Sequence, residues 1–280
     1  MYIKHPAFET PSDSSIRVWR YQDVAKLVAC LSTRSLFFTR ADQFEDQYEG
    51  SLPTANLDRR RAELLPIKTS GPKMARELKD QLGITLSRTE AETLAEAAAL
   101  HLENYQIQEN EAYRRFTCIN CWHMNEVESF AMWKLYCHTR EAVAIQSTFD
   151  RLVGSLTGFT GDVYGGVVKY TNYDTEAIPT GNDFYRFIYK MASFSHEREL
   201  RLILQQHPPI NGDTKNIEWH VELFPDGGIS IPVDLNILVE QIVLSPTAPP
   251  WFENVVRSLV DKYGFGFQVE RSALVRPPRF

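Results

Sequence analysis

Nothing in this chain is apolar for long enough to cross a membrane, and its opening residues, MYIKHPAFETPSDSS, lack the apolar centre of a secretion signal. A cytoplasmic protein is the expectation. Cysteine is scarce: four in 280 residues cannot build a disulfide scaffold, so reduced thiols are expected. Neither G-x-G-x-x-G nor a Walker loop occurs, which disfavours the Rossmann and P-loop routes to a nucleotide. Cations are outnumbered. Lys and Arg total 30 against 36 Asp and Glu, for a formal charge of −6 and a pI of about 5.7. Phosphate backbones need clustered Lys and Arg, so a broad nucleic-acid footprint is disfavoured while a local basic strip stays open.

Apolar and aromatic residues are plentiful, at 43 % and 12 %, enough for a sizeable core. The polar residues 1–15 predict a loose arm, and 16–280 a single α+β domain. Its core is expected to be a mixed, largely antiparallel sheet with flanking helices. Strands are predicted at 16–21, 36–40, 116–121, 142–148, 165–173, 201–206, 217–223, 229–233, 239–244 and 267–274. Helices are predicted at 23–32, 128–138 and 249–263, the last ended by Gly264, and another where Asp183 can cap Phe184, Phe187, Ile188 and Met191. From about 56 to 115 the composition turns to Ala, Glu, Arg and Leu, and a helical insertion is expected. Ser87 and Glu90 match a capping box there, with Leu94, Ala98, Leu102 and Tyr105 as one stripe.

Chemistry concentrates in RFTCINCWHMNEVESFAMWKLYCHTREAVAIQST (116–148) and SFSHERELRLIL (193–204). Cys118, Cys121, His123, Cys137 and His138 have a zinc inventory, but CINC lacks the Gly or Pro of a metal knuckle. On a strand, Cys118 and Cys121 also point to opposite faces, so no metal site is expected. Cys121 and His123 would share a face, as a thiol nucleophile and its base would need. Met132, Trp133, Leu135 and Tyr136 read first as core, and Glu126, Glu128 and Ser129 as a helix start. Glu197, Glu199 and Arg201 alternate before an apolar strand. They form either a solvated edge or a carboxylate pair aimed at a substrate, with Arg201 holding one of them.

LFFTRADQFEDQYEGS (36–51), CWHMNEVESFAMWKLY (121–136), VAIQST (143–148) and KMASFSHERELRLI (190–203) together resemble the bacterial domain-of-unknown-function family 2971. The likeness spans most of the chain outside the insertion and brings no established activity. A second resemblance is to mono-ADP-ribosyltransferases. These carry an Arg on an early strand, a Ser-Thr-Ser strand, and a Glu-x-Glu or Gln-x-Glu pair, in that order. Arg20 (or Arg17), Ser147-Thr148 and Glu197-x-Glu199 follow it, although Phe149 replaces the second Ser and no Gly follows the early Arg.

That resemblance implies an NAD-dependent enzyme. Arg20 would bind a phosphate of NAD, and Ser147 would orient Arg20 and the catalytic Glu. Glu199 would hold the ribose 2′-hydroxyl and stabilise the developing cation, and Glu197 would prepare the acceptor. Trp122, Trp133 or Tyr136 could stack on a ring. His123, Glu128, Ser147, Glu199 and Arg201 are expected around one pocket. The expected partner is a nucleotide or other small molecule, with a protein or nucleic-acid acceptor open and no membrane. The alternative is a non-catalytic regulatory module, which could serve as a sensor in phage defence.

Overall fold

The strand read from RVWRYQD is β1, Arg17–Asp23, and its register sets the rest of the sheet. It runs directly into helix α1, Val24–Thr33, which returns through Arg34 to β2, Ser35–Arg40. Three helices follow: α2, Thr54–Lys68; α3, Gly71–Leu82; and α4, Arg88–Arg115. Next come β3, Thr117–Met124; α5, Phe130–Tyr136; β4, Ala142–Thr148; and α6, Phe149–Gly154. Short elements fill the middle: β5, Tyr164–Val167; β6, Lys169–Thr171; α7, Tyr185–Ile188; and β7, Tyr189–Met191. The last part holds β8, Glu199–Gln205; β9, Gly228–Pro232; α8, Leu235–Leu238; β10, Gln241–Leu244; α9, Phe252–Lys262; and β11, Gln268–Arg271. The computed structural model describes residues 1–207 and 219–275.

The expected α+β class holds. Among the described residues a nine-stranded sheet is antiparallel throughout except for β10 beside β11, and a two-stranded parallel sheet pairs β6 with β7. The sheet forks at β3. One edge of β3 is laddered to β8 from Thr117 to His123. Its other edge meets two strands: β2 at Cys118 and Ile119, and β1 at His123 and Met124. Beyond these contacts β1 follows β4 and β2 follows β9, so the two diverge across Asn120 to Trp122. On the inner side of the fork the Phe37 carbonyl accepts from the side chain of Asn120 at 2.9 Å, and from Arg20 at 3.4 Å. Side chains thus replace ladder bonds at an edge that would otherwise leave a backbone acceptor unmet.

The two faces of the fork are covered by different helices. Val18, Val143, Ile145 and Trp122 pack with Leu27, Cys30 and Leu31 of α1 in the main core. Trp19, Tyr21, Ala142 and Ala144 pack with Met132 and Trp133 of α5. Alternating side chains on β1 therefore feed two separate cores, as a period of two requires.

Several expectations are corrected. The first residues are not a loose arm: Ile3 donates to the Val163 carbonyl, Val167 donates to Glu9, and Ala7 and Phe8 are buried. In α4 the capping box is present, but the supposed stripe is not the packed one. Ala91, Ala95 and Ala99 are buried, whereas Leu94, Leu102 and Tyr105 are exposed. Small residues let α3 approach closely; a Cβ on Gly71 would sit 2.9 Å from the Ala91 carbonyl. The run 165–173 divides into β5 and β6, and Met191 lies on β7 rather than α7. Of the strand expected at 217–223, 217 and 218 lie outside the described residues and 219–223 form turns and irregular backbone. None of the described helices is long and apolar enough to cross a membrane.

Buried Asn56 bolts the base of α2 to the sheet domain by exchanging two hydrogen bonds with the Ile178 backbone, at 2.8 and 2.9 Å. Replacing it by Ala leaves a buried donor and acceptor unmet, so Asn56→Ala should cost about 2–4 kcal/mol. Urea denaturation measures it, and a loss under about 0.5 kcal/mol would show that water replaces both bonds.

Candidate functional site

The open part of the fork is a cavity of about 210 Å³. Arg20, Gln22, His123, Tyr136, Glu197 and Glu199 line it, with Trp19, Tyr21, Phe44 and Trp122 as aromatic walls. Strand register explains the convergence. His123 pairs with Trp19 on one side and Glu199 on the other, and Cys121 pairs with Arg201, so all five share one face. Glu197 is not on β8. It ends a 3-10 turn, and Arg198, at φ 41°, reverses the chain between the two carboxylates. The left-handed backbone lets both reach one cation: Lys190 Nζ lies 2.6 Å from Glu197 and 3.7 Å from Glu199.

Arg201 stands behind Glu199 with no solvent exposure. It donates to both oxygens of Glu49 at 2.7 and 2.8 Å, and to Glu199 at 2.9 Å. Gly50 makes this possible. Its φ is +70°, and a Cβ there would lie 2.5 Å from the Phe187 ring, so the loop can bring Glu49 inward only with glycine beside it. Burial acts to lower Arg201, but Glu199 and Glu49 outweigh it and hold the guanidinium charged. Burial acts to raise the Glu199 carboxyl, and Arg201 with Lys190 overcomes it, leaving Glu199 below the usual carboxylate range. Tyr136 donates to Glu197 at 2.8 Å, and burial beside that carboxylate pushes its phenol upward.

The remaining groups are less satisfied. Burial lowers His123, keeping the ring neutral. Its Nδ1 lies 2.6 Å from the Glu197 carbonyl, which can only accept, so Nδ1 carries the proton and Nε2 is a bare acceptor. Among the described residues His123 Nε2, Arg20 Nη1 and Gln22 Nε2 are buried without a hydrogen-bond partner. Among the described residues Arg20 has no carboxylate partner either; it lies over the Trp122 ring at 5.9 Å, and burial lowers its pKa. Arg20 is half-buried and its charge is met only by the Phe37 carbonyl and the Trp122 ring, and three unmet polar atoms around one cavity are what a site for a polar ligand would present.

The expected site is therefore partly assembled. Glu197, Glu199, His123, Arg20, Trp122 and Tyr136 line the cavity, and Arg201 supports Glu199 from behind. Ser147 does not join them: its hydroxyl donates to the Leu238 carbonyl at 2.5 Å. Glu128 accepts from Trp133 and Ser272, tying the C-terminal turn to α5, and Trp133 packs edge-on behind Tyr21 at 4.9 Å. Arg17 donates to the Glu126 carbonyl on an exposed edge. Cys118 lies in the main core and Cys121 on the cavity face, the opposition expected from strand parity. Burial pushes the Cys121 thiol well up, away from the thiolate form that a nucleophile needs. Gln22, Lys26 and Tyr21 were not anticipated as lining residues, although the alternation in RVWRYQD places Gln22 beside Arg20. Glu49 and Lys190 both lie in the quoted motif stretches, but only folding brings them together.

No protein-family model matches this chain, and no curated protein matches it.

Removing Glu49 would leave Arg201 short of its bidentate partner in a dry site. Glu49→Ala should lower stability by about 3–5 kcal/mol, read from urea denaturation; a loss below about 1 kcal/mol would place the pair with exposed ones. Because the folded pKa of Glu199 is depressed, its stabilisation is present above the ordinary value of about 4.3. It is lost as pH falls through the lower folded value. The melting temperature should drop on acidification through that window, and Glu199→Gln should flatten the drop. Parallel curves for the two proteins would show that Glu199 is not the titrating group.

Proposed function

We propose that the chamber holding Glu197 and Glu199 is the reaction site of an NAD-dependent, ADP-ribosyltransferase-like enzyme. The observation that carries this reading is the meeting of two ion-paired carboxylates with Arg20 Nη1 and His123 Nε2, both without a hydrogen-bond partner among the described residues, around one aromatic-walled cavity. The order of Arg20 and Glu197-x-Glu199 along the chain agrees with the resemblance to that enzyme class. The likeness to the bacterial domain-of-unknown-function family supports the site, not the chemistry.

In this reading Glu199 accepts the hydroxyl of the nicotinamide ribose and stabilises positive charge as the C1′–N bond breaks. Nicotinamide leaves with the bonding electron pair. A nucleophile, water in the simplest assay, attacks C1′, and its proton passes to the bare Nε2 of His123. With water the products are ADP-ribose, nicotinamide and one proton. Tyr21 or Tyr136 offers a ring face to the base. Ser147 has no part, because its hydroxyl is committed to Leu238. Arg201 and Lys190 orient Glu199 instead.

A non-catalytic binding module is the second reading. What favours it is that both carboxylates are already held by cations, a rigid arrangement suited to recognition. Nicotinamide release from NAD separates the two. The enzyme reading expects release by the purified chain and a loss of about 10²–10³-fold in Glu199→Gln, with NAD still bound. Saturable NAD binding without release would select the binding module, and the absence of both would remove NAD from either reading.

A further inference from the structure

A second cavity, of about 280 Å³, opens on the α1 side of the fork, with Cys30, Thr33, Ser35, Phe37 and Ser230 in its walls. Arg20, Gln22, Lys26 and Thr39 line both cavities, so the two chambers meet across the gap between β1 and β2. Their electrostatics differ. The first is lined by Glu197 and Glu199; among the described residues no carboxylate lines the second. At the boundary stand two cations from different elements, Arg20 of β1 and Lys26 of α1, neither ion-paired among the described residues. Between them Gln22 is 5 % exposed, and its Nε2 has no partner among the described residues. Neither chamber alone reaches the ~300 Å³ at which small-molecule sites begin.

We propose that one ligand threads the fork, with a diphosphate group held by Arg20, Gln22 and Lys26 and an uncharged, hydroxyl-bearing end in the acid-free chamber beside α1. A single carboxylate would be matched by Arg20 alone. Two cations and an amide donor, with no acid among them, fit a group carrying two or more negative charges and many acceptor oxygens. The Ser230 hydroxyl, the Ser35 oxygen, whose own proton goes to Thr33, and the Phe37 ring suit a sugar or nucleoside end rather than a second anion. Identifying the ligand as a nucleotide rests on the reading of the carboxylate chamber given above; the diphosphate position does not.

The test uses the full chain with inorganic pyrophosphate and with ADP-ribose, titrated by calorimetry. Pyrophosphate should bind the unaltered protein, and Lys26→Gln, an exposed change, should weaken it about tenfold. Ser230→Trp, at the exposed rim of the second chamber, should weaken ADP-ribose about tenfold or more and leave pyrophosphate unchanged. Equal pyrophosphate affinity in Lys26→Gln, no pyrophosphate binding at all, or unchanged ADP-ribose affinity in Ser230→Trp would each overturn the proposal. If the expected pattern appears without nicotinamide release from NAD, the catalytic reading falls and the threaded site stands.

Discussion

A guanidinium with no exposure to water can persist only if every charge around it is arranged in advance. Arg201 imposes that condition on this fold. Its bidentate bond to Glu49 draws in the loop after β2, which in turn needs glycine at position 50. Its bond to Glu199 fixes one carboxylate on the cavity wall, and Lys190 passes the constraint on to Glu197, which is also held by Tyr136 of α5. Five charged groups and a phenol from distant segments are thereby locked into one geometry. Such a network rigidifies, and any single deletion leaves an uncompensated partner.

The fork in the sheet supplies the space that the network faces. A strand that shares one edge between two diverging neighbours must leave part of that edge open, and here the opening falls at Asn120 to Trp122. The acid side of the opening is saturated with internal bonds, while the basic side is not. Among the described residues Arg20, Gln22 and His123 keep buried polar atoms without partners around one cavity, whereas the others of that kind, on Tyr2, Arg114, Arg115, Arg151 and Arg201, do not line it. That asymmetry, rather than the volume of the cavity, is what the proposal of a binding site rests on.

Much of the fold was legible in the order of residues. The alternation in RVWRYQD, the apolar runs of β4 and β8, and the Ser87–Glu90 capping box are local signals, and each formed where it was expected. The misreadings came from segments whose fate depends on neighbours. Phe8 looked like part of a polar arm until β5 and Phe184 gave it a surface to pack on. The large residues of α4 looked like its buried stripe, yet the partner helices approach so closely that only the Ala face fits between them.

The site divides in the same way. Strand parity alone placed Cys121 with His123 and Glu199 with Arg201, because a period of two is a property of the backbone. It could not place Glu49 or Lys190 in the network, nor remove Ser147 and Glu128 from it. Those outcomes depend on which carbonyl or hydroxyl a side chain meets in space: Leu238 for Ser147, Ser272 for Glu128, and Arg201 for Glu49. The residues and their local elements were determined by the sequence itself. The pairing of charges across 152 positions was decided only when the sheet closed around them, since a buried ion pair has no stabilising value until water has been excluded from both partners.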